Sequence, residues 1–219
     1  MTTRREANTG ILAGAAAAAT RSVAAQAQDK PRALPKAQMD GGMPLLNALK
    51  LRRSTREYST RSLSDQTLSN LLWAAFGINR PSGDRTAPYW RHIMVIDVYL
   101  AFADGVFMYE PKDHALLSYM KDDIRADTGL QDFVAAAPLN LVYVAHGERM
   151  KDVSPEDRRL YASVDAAFIG QNVYLYCASE GLASVLRGAV DYEKLNRRMN
   201  LPNEQFVTFA QTVGYGARS

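Results

Sequence analysis

Apolar positions along the chain change their spacing several times, and each change marks an element. After Pro44, Leu45, Leu46 and Leu49 fall on one side of a helix and the stem of Arg52 continues it, so the spacing predicts a helix ending near Arg53. Ser64 suits an N-cap and Asp65 a first turn. Leu68, Leu71, Leu72, Ala75 and Phe76 then recur at helical spacing up to Gly77, expected to stop the helix in a left-handed conformation. Asn79 to Arg91 is polar and broken by Pro81, Gly83 and Pro88, which predicts a loop. Ile93 to Leu100 reads as a strand. Ala103-Asp104-Gly105 turns it back into Val106 to Glu110 as a hairpin partner, because Asp-Gly supplies the positive φ that hairpin turns need.

Asp122 to Ala137 predicts two short helices interrupted near Gly129. Leu139 to Ala145 is apolar except for Asn140, as in a central strand covered on both faces. Ser154-Pro155-Glu156-Asp157 opens the longest helix, which runs to Glu180 and is closed by Gly181. Ala183 to Leu186 is a short strand, Asp191 caps a helix through Met199, and Phe206 to Val213 is a last strand. A hairpin within this order, and the lack of regular strand–helix alternation, predict an α+β domain with a mixed, largely antiparallel sheet covered by helices.

Ahead of this domain the pattern differs. Residues 3–27 show a charged start, an apolar stretch from Gly10 to Ala19 and an Ala25-Gln26-Ala27 end, the layout of a cleavable export signal. Paired Arg4-Arg5 and the weak Ala-rich core point to the twin-arginine type. About ten apolar residues are half of what spans a bilayer, so no permanent membrane anchor is expected. Residues 28–43, with Pro31, Pro35, Gly41 and Gly42, read as a linker, and 44–219 as the folded domain. The expected location is periplasmic, or cytoplasmic if residues 1–27 are not a signal.

The net charge of +3 changes little, because residues 1–27 hold Arg4, Arg5 and Arg21 against Glu6 alone. No field of one sign remains to hold nucleic acid. The lone Cys177 shares a helix face with Ile169 and Val173 and reads as a buried small hydrophobe. His92, His114 and His146 stand apart without a second ligand at helical spacing, so no metal site is expected. Neither a G-x-G-x-x-G nor a phosphate-loop motif is present.

The cluster Arg52-Arg53-Ser54-Thr55-Arg56 sets three guanidiniums and two hydroxyls just past a helix end. Such forks suit phosphate oxygens, but they also complement the negative end of a helix, and charge alone does not decide between the two. Arg218 is a further cation near the terminus. Asp165, Asn172 and Tyr176 place polar groups on an otherwise apolar helical stripe, where hydrogen bonds to a neighbouring loop are the simplest reading. Leu186-Arg187-Gly188 ends a strand in a residue without a Cβ, suited either to close approach of a flat ligand or to a plain turn.

Several motifs occur in order: RRSTREY at Arg52 to Tyr58, S-x-x-x-L-x-x-L-L-W-A-A-x-G at Ser64 to Gly77, GDRTAP at Gly83 to Pro88, AxxGQNVYL and ASEGL within Ala166 to Leu182, and AQTVGY at Ala210 to Tyr215. Together they resemble the FMN-dependent nitroreductase family, in the branch that also contains SagB-type dehydrogenases. The resemblance implies a homodimer with FMN at the subunit interface and two-electron chemistry at flavin N5, with no catalytic side chain required. It further implies that Arg52, Arg53, Ser54, Arg56 and Arg218 hold the phosphate and ribityl chain, and that Leu186, Arg187 and Gly188 face the ring. The donor would be NAD(P)H or a periplasmic reductant, and the acceptor a small oxidised molecule such as a nitroaromatic or quinone. One segment departs from the family. Where the pattern continues P-S-A-x-N-x-Q, this chain has Pro88-Tyr89-Trp90-Arg91-His92-Ile93-Met94, with His92 at the position of the flavin-contacting Asn and bulky residues in place of two small ones. The alternative reading is therefore a degenerate member that lacks flavin turnover and serves as a binding or assembly protein.

Overall fold

The computed structural model describes residues 30–217; the expected export signal and Arg218 lie outside the described residues. The elements are β1 (Arg32–Ala33), α1 (Leu45–Leu51), α2 (Asp65–Phe76), β2 (Ile96–Phe102), β3 (Gly105–Glu110), β4 (Ala115–Met120), α3 (Phe133–Ala136), β5 (Leu139–His146), α4 (Pro155–Ser179), β6 (Ala183–Arg187), α5 (Tyr192–Arg198) and β7 (Gln205–Gly214). One sheet orders the strands β1-β4-β3-β2-β5-β7-β6. Every pairing in it is antiparallel, so the parallel component of a mixed sheet is not found among the described strands.

β5 is buried along its whole length, because β2 and β7 flank it and both faces are covered. Its alternate residues divide the core. Leu141, Tyr143 and Ala145 join Leu71, Leu72, Ile169 and Val173 under α2 and α4, while Val142 and Val144 meet Leu195 of α5 and Met199 just past its end on the other face. A strand places successive side chains on opposite faces, so its one continuous apolar run serves two separate cores.

Caps agree with the sequence at several ends. Ser64 Oγ accepts from Thr67 N–H, Ser154 Oγ from Asp157 N–H and an Asp191 carboxylate oxygen from Lys194 N–H. Gly181 follows α4 at φ +69°, in the left-handed region that glycine adopts at least cost. Gly77 does not: its backbone is extended at φ −71° and ψ 163°. Glycine is needed there for another reason, since a Cβ would lie 2.6 Å from the Trp73 ring.

The stretch expected as a linker is instead seated on the domain from Arg32 onward. Arg32 and Ala33 pair with β4, Leu34 N–H donates to His114 O at 3.1 Å, and Leu34 and Ala37 are buried. Ser69 Oγ donates to Pro35 O at 2.6 Å and Met43 N–H to Ser179 Oγ at 2.8 Å. β4 itself has no counterpart among the expected elements. Its Ala-Leu-Leu-Ser-Tyr-Met pattern alternates too loosely to mark a strand until β3 and β1 pair with it.

Candidate functional site

α1 ends at Leu51, and the chain then runs along the open edge of β6, the last strand of the sheet. Thr55 N–H donates to Ser184 O at 2.9 Å. Leu186 N–H donates to the Tyr174 phenol at 2.8 Å, and that hydroxyl also lies 2.9 Å from Ser54 Oγ. Polar groups on the outer edge of β6 are thereby satisfied by the basic segment and by one tyrosine of α4, which closes an edge that would otherwise pair with another strand. The Arg52 guanidinium lies over the Tyr174 ring, 5.1 Å from its centre.

Among the described residues, no carboxylate pairs with Arg52, Arg53 or Arg56. A cleft of about 300 Å³ opens beside them, lined by Arg53, Thr55, Tyr174, Ser184 and Gly216. Gly216 also bridges to Tyr58, so the chain passes the basic segment two residues before Arg218. Guanidiniums free of acidic partners beside hydroxyls at a cleft are what a phosphate ester requires, so this end of the site fits FMN.

Leu186 and Arg187 part company. Leu186 faces α4, where a Cβ on Gly170 would come 3.1 Å from Leu186 Cδ1. Arg187, next along the strand, points to the other face: Nη1 donates to Thr128 O at 2.7 Å and Nη2 to Asn140 Oδ1 at 3.1 Å. Burial pulls its pKa down to about 10. Its side chain clamps the loop before α3 to β5, and the expected contact with a flavin ring is left to the backbone. Gly188 is exposed, and a Cβ there would meet only ordinary contacts, 3.7 Å from Phe209 and Tyr192. Nothing inside the chain requires glycine at this position.

His92 lies elsewhere. It is exposed and 3.6 Å from Asp84, whose carboxyl the Ser82 and Tyr89 hydroxyls hold down to about 2. Tyr89 packs edge-on against Phe76, and Trp90 stacks on Tyr161 with ring centres 5.9 Å apart. Arg91 and His92 both adopt left-handed backbone, φ 45° and 57°, an unusual pair for residues with a Cβ. Trp90 N–H donates to Asp165 Oδ2 at 2.9 Å. Asp165 and Tyr174 are nine residues apart on α4, about 14 Å along a helix. The loop therefore meets α4 in its first half, at Tyr161 and Asp165, and the basic segment meets it towards its C-terminal end, at Tyr174.

The polar stripe on α4 serves hydrogen bonds, but only Asp165 meets a loop, through Trp90; Asn172 and Tyr176 reach carbonyls of α2. Asn172 Nδ2 donates to Ala75 O at 3.4 Å and Tyr176 OH to Thr67 O at 3.5 Å. Asp165 is 4% exposed, and among the described residues Trp90 N–H alone donates to it. Burial outweighs that bond and pushes its pKa up to about 6. A carboxyl whose folded pKa exceeds its unfolded value contributes fully below the unfolded value and loses that contribution as pH rises through the folded one. Asp165→Asn keeps an acceptor for Trp90, so it is expected to stabilise the fold by roughly 1–3 kcal/mol at pH 8 and to give no gain near pH 4. Urea unfolding at the two pH values checks this.

Tyr174 is the site residue that sequence reasoning missed. It belongs to the AxxGQNVYL motif, but its position on α4 says nothing of the β6 edge it reaches.

Comparison with known proteins bears on this arrangement. The profile of the Nitroreductase family matches residues 49–215. A nitroreductase-type protein of Methanocaldococcus jannaschii is 31% identical over 148 residues, covering 63% of this chain and 75% of that protein. Among solved structures, a nitroreductase-type protein of Ralstonia eutropha JMP134 matches at a TM-score of 0.82 and 42% identity, over 86% of this chain and 90% of the other. The NADPH:FMN oxidoreductase of Vibrio harveyi, solved with NAD+, shares the fold at a TM-score of 0.59 and 17% identity, over 79% of this chain and 69% of its own. The class is that of an α+β oxidoreductase. The chain belongs to the nitroreductase family.

Proposed function

We propose that the chain is an FMN-dependent oxidoreductase that passes two electrons from NAD(P)H or a periplasmic donor to a small oxidised acceptor such as a nitroaromatic or quinone. The observation that carries this reading is the row of guanidiniums, Arg52, Arg53 and Arg56, which meet no carboxylate among the described residues, beside Ser54 and Thr55 along the outer edge of β6. When bound, FMN supplies the two-electron chemistry at N5. The arginines, with Arg218, neutralise the phosphate, Ser54 meets the ribityl chain, and the backbone at Leu186 and Gly188 faces the ring.

A homodimer is part of the reading. Leu45, Leu46 and Leu49 of α1 and Leu160, Val164 and Phe168 of α4 stay exposed, Leu46 at 77% and Phe168 at 44%. Apolar faces of this kind are covered by a partner in obligate dimers. The expected export signal supports a periplasmic location. Among the described residues no helix is long and apolar enough to cross a membrane.

The test is to supply cofactor-free protein with FMN, then to reduce the bound flavin anaerobically with NADPH, NADH or a quinol. Binding near micromolar concentration and reduction by one of these donors are expected; no binding at that level overturns the reading. Fractionation of an Arg4→Lys, Arg5→Lys double variant tests the twin-arginine route.

A second reading, the degenerate member without flavin turnover, is favoured by one observation. Tyr89 and Trp90 occupy the departing loop in ordered contacts with Asp84, Phe76, Asp165 and Tyr161. On this reading Tyr89→Ser, Trp90→Ala and His92→Asn together create flavin binding where the wild type has none, and nitro or quinone reduction by the wild type rules it out.

A further inference from the structure

We propose that a cavity between β2, β3 and the end of α2 binds a small monocarboxylate with an apolar body, its carboxylate held by Arg85. The cavity is about 250 Å³, and Arg85 lines it together with Phe76, Met94, Met108 and Pro111.

Arg85 is the group in it that lacks a proper partner. Its Nε and Nη2 donate to Met94 Sδ, at 3.2 and 2.9 Å, and a thioether is a weak acceptor. Its Nη1 is buried and has no hydrogen-bond partner among the described residues. The guanidinium lies 5.5 Å from the centre of the Phe76 ring and makes no ion pair among the described residues. Burial pulls its pKa down, and the Glu110 and Asp97 carboxylates, which attract it without pairing with it, do not make up the loss. Met94 stands where the family pattern has Gln, whose carbonyl oxygen would be an acceptor. In this chain that oxygen is missing and the donors remain.

The other polar groups of the cavity are already engaged. Asp97 Oδ2 lies 2.7 Å from His146 Nε2, and its Oδ1 lies 3.4 Å from Arg149 Nη1. His146 also meets Glu148 at 2.9 Å, and Tyr109 OH lies 2.9 Å from His114 Nδ1. Glu110 accepts from Lys112 N–H at 2.9 Å. Arg85 is thus the cation left over. Two carboxylates, Asp97 and Glu110, line the same space and disfavour a dianion such as sulfate or a phosphate ester. A monocarboxylate matches the guanidinium fork with two parallel bonds, and its apolar body matches Phe76, Met108 and Pro111. The cavity shares no lining residue with the cleft beside the basic segment, so benzoate binding is read on protein free of FMN.

The test is calorimetric titration of the full chain with benzoate, and with benzyl alcohol and sulfate as comparisons. Benzoate is expected to bind, with benzyl alcohol and sulfate each weaker by about tenfold or more. Met94→Gln, which returns an internal acceptor to Arg85 without emptying the cavity, is expected to weaken benzoate by about tenfold while the melting temperature holds or rises. Arg85→Lys is expected to weaken it similarly through loss of the fork. Failure of millimolar benzoate to bind the wild type overturns the proposal. So does binding that both variants leave unchanged, or sulfate binding as tight as benzoate.

Discussion

Gly129→Ala is expected to destabilise the chain by about 3–6 kcal/mol, because it evicts a buried guanidinium from both of its hydrogen bonds. A Cβ on Gly129 would lie within bonding distance of Arg187 Nη1, the atom that donates to Thr128 O. The far end of an arginine ordinarily swings aside. This one is held by Thr128 O and Asn140 Oδ1 and is 4% exposed, so it has no wet place to go. Arg187→Met alone has a smaller effect. Asn140 Oδ1 keeps the Thr212 hydroxyl at 2.6 Å, and removing a desolvated cation offsets the bond lost at Thr128. In the Arg187→Met background, Gly129→Ala is expected to cost under about 1 kcal/mol, a coupling of about 2 kcal/mol or more. Urea unfolding of the four proteins measures it, and costs that simply add would refute the clamp. FMN affinity is expected to be indifferent to Arg187→Met, since this guanidinium is taken up by Thr128 O and Asn140 Oδ1.

Arg52→Ala combined with Arg53→Ala is expected to weaken FMN binding by about 10²–10⁴-fold, at about 1.5–3 kcal/mol for each charged hydrogen bond to phosphate. Neither side chain holds an ion pair among the described residues, and Arg52 loses only its place over Tyr174, worth about 0.5–1 kcal/mol at an exposed site. Stability should therefore move little while affinity falls. Riboflavin, which lacks the phosphate, supplies the control. If the double variant loses riboflavin as severely as FMN, the cluster is not reading a phosphate, and the helix-dipole role of these arginines is left as the better account.

The elements that the sequence made legible are those whose own pattern specifies them. α2 and α4 carry helical spacing between a capping serine and a glycine, and β5 is so apolar that only a doubly covered strand suits it. The basic segment was legible for a similar reason: five consecutive residues concentrate charge and hydroxyls whatever surrounds them. β1 and β4 were hidden, because two residues of one and a loosely alternating six of the other become strands only through the partners that accept their hydrogen bonds.

Side-chain destinations divide in the same way. That Leu186 and Arg187 face opposite ways follows from any strand, but which face holds α4 depends on register with β7, where Leu186 meets Gln211 and Arg187 meets Ala210. Tyr174 reaching the edge of β6, Trp90 reaching Asp165 and Arg85 reaching only Met94 Sδ join positions 9 to 75 residues apart. By itself the sequence determined the helices, the central strand, the family and the cluster suited to phosphate, all of which rest on local periodicity and ordered motifs. The tertiary structure alone decided which arginines stay free and which are clamped, because a guanidinium's partners are set by chain segments that meet only when the sheet closes its register.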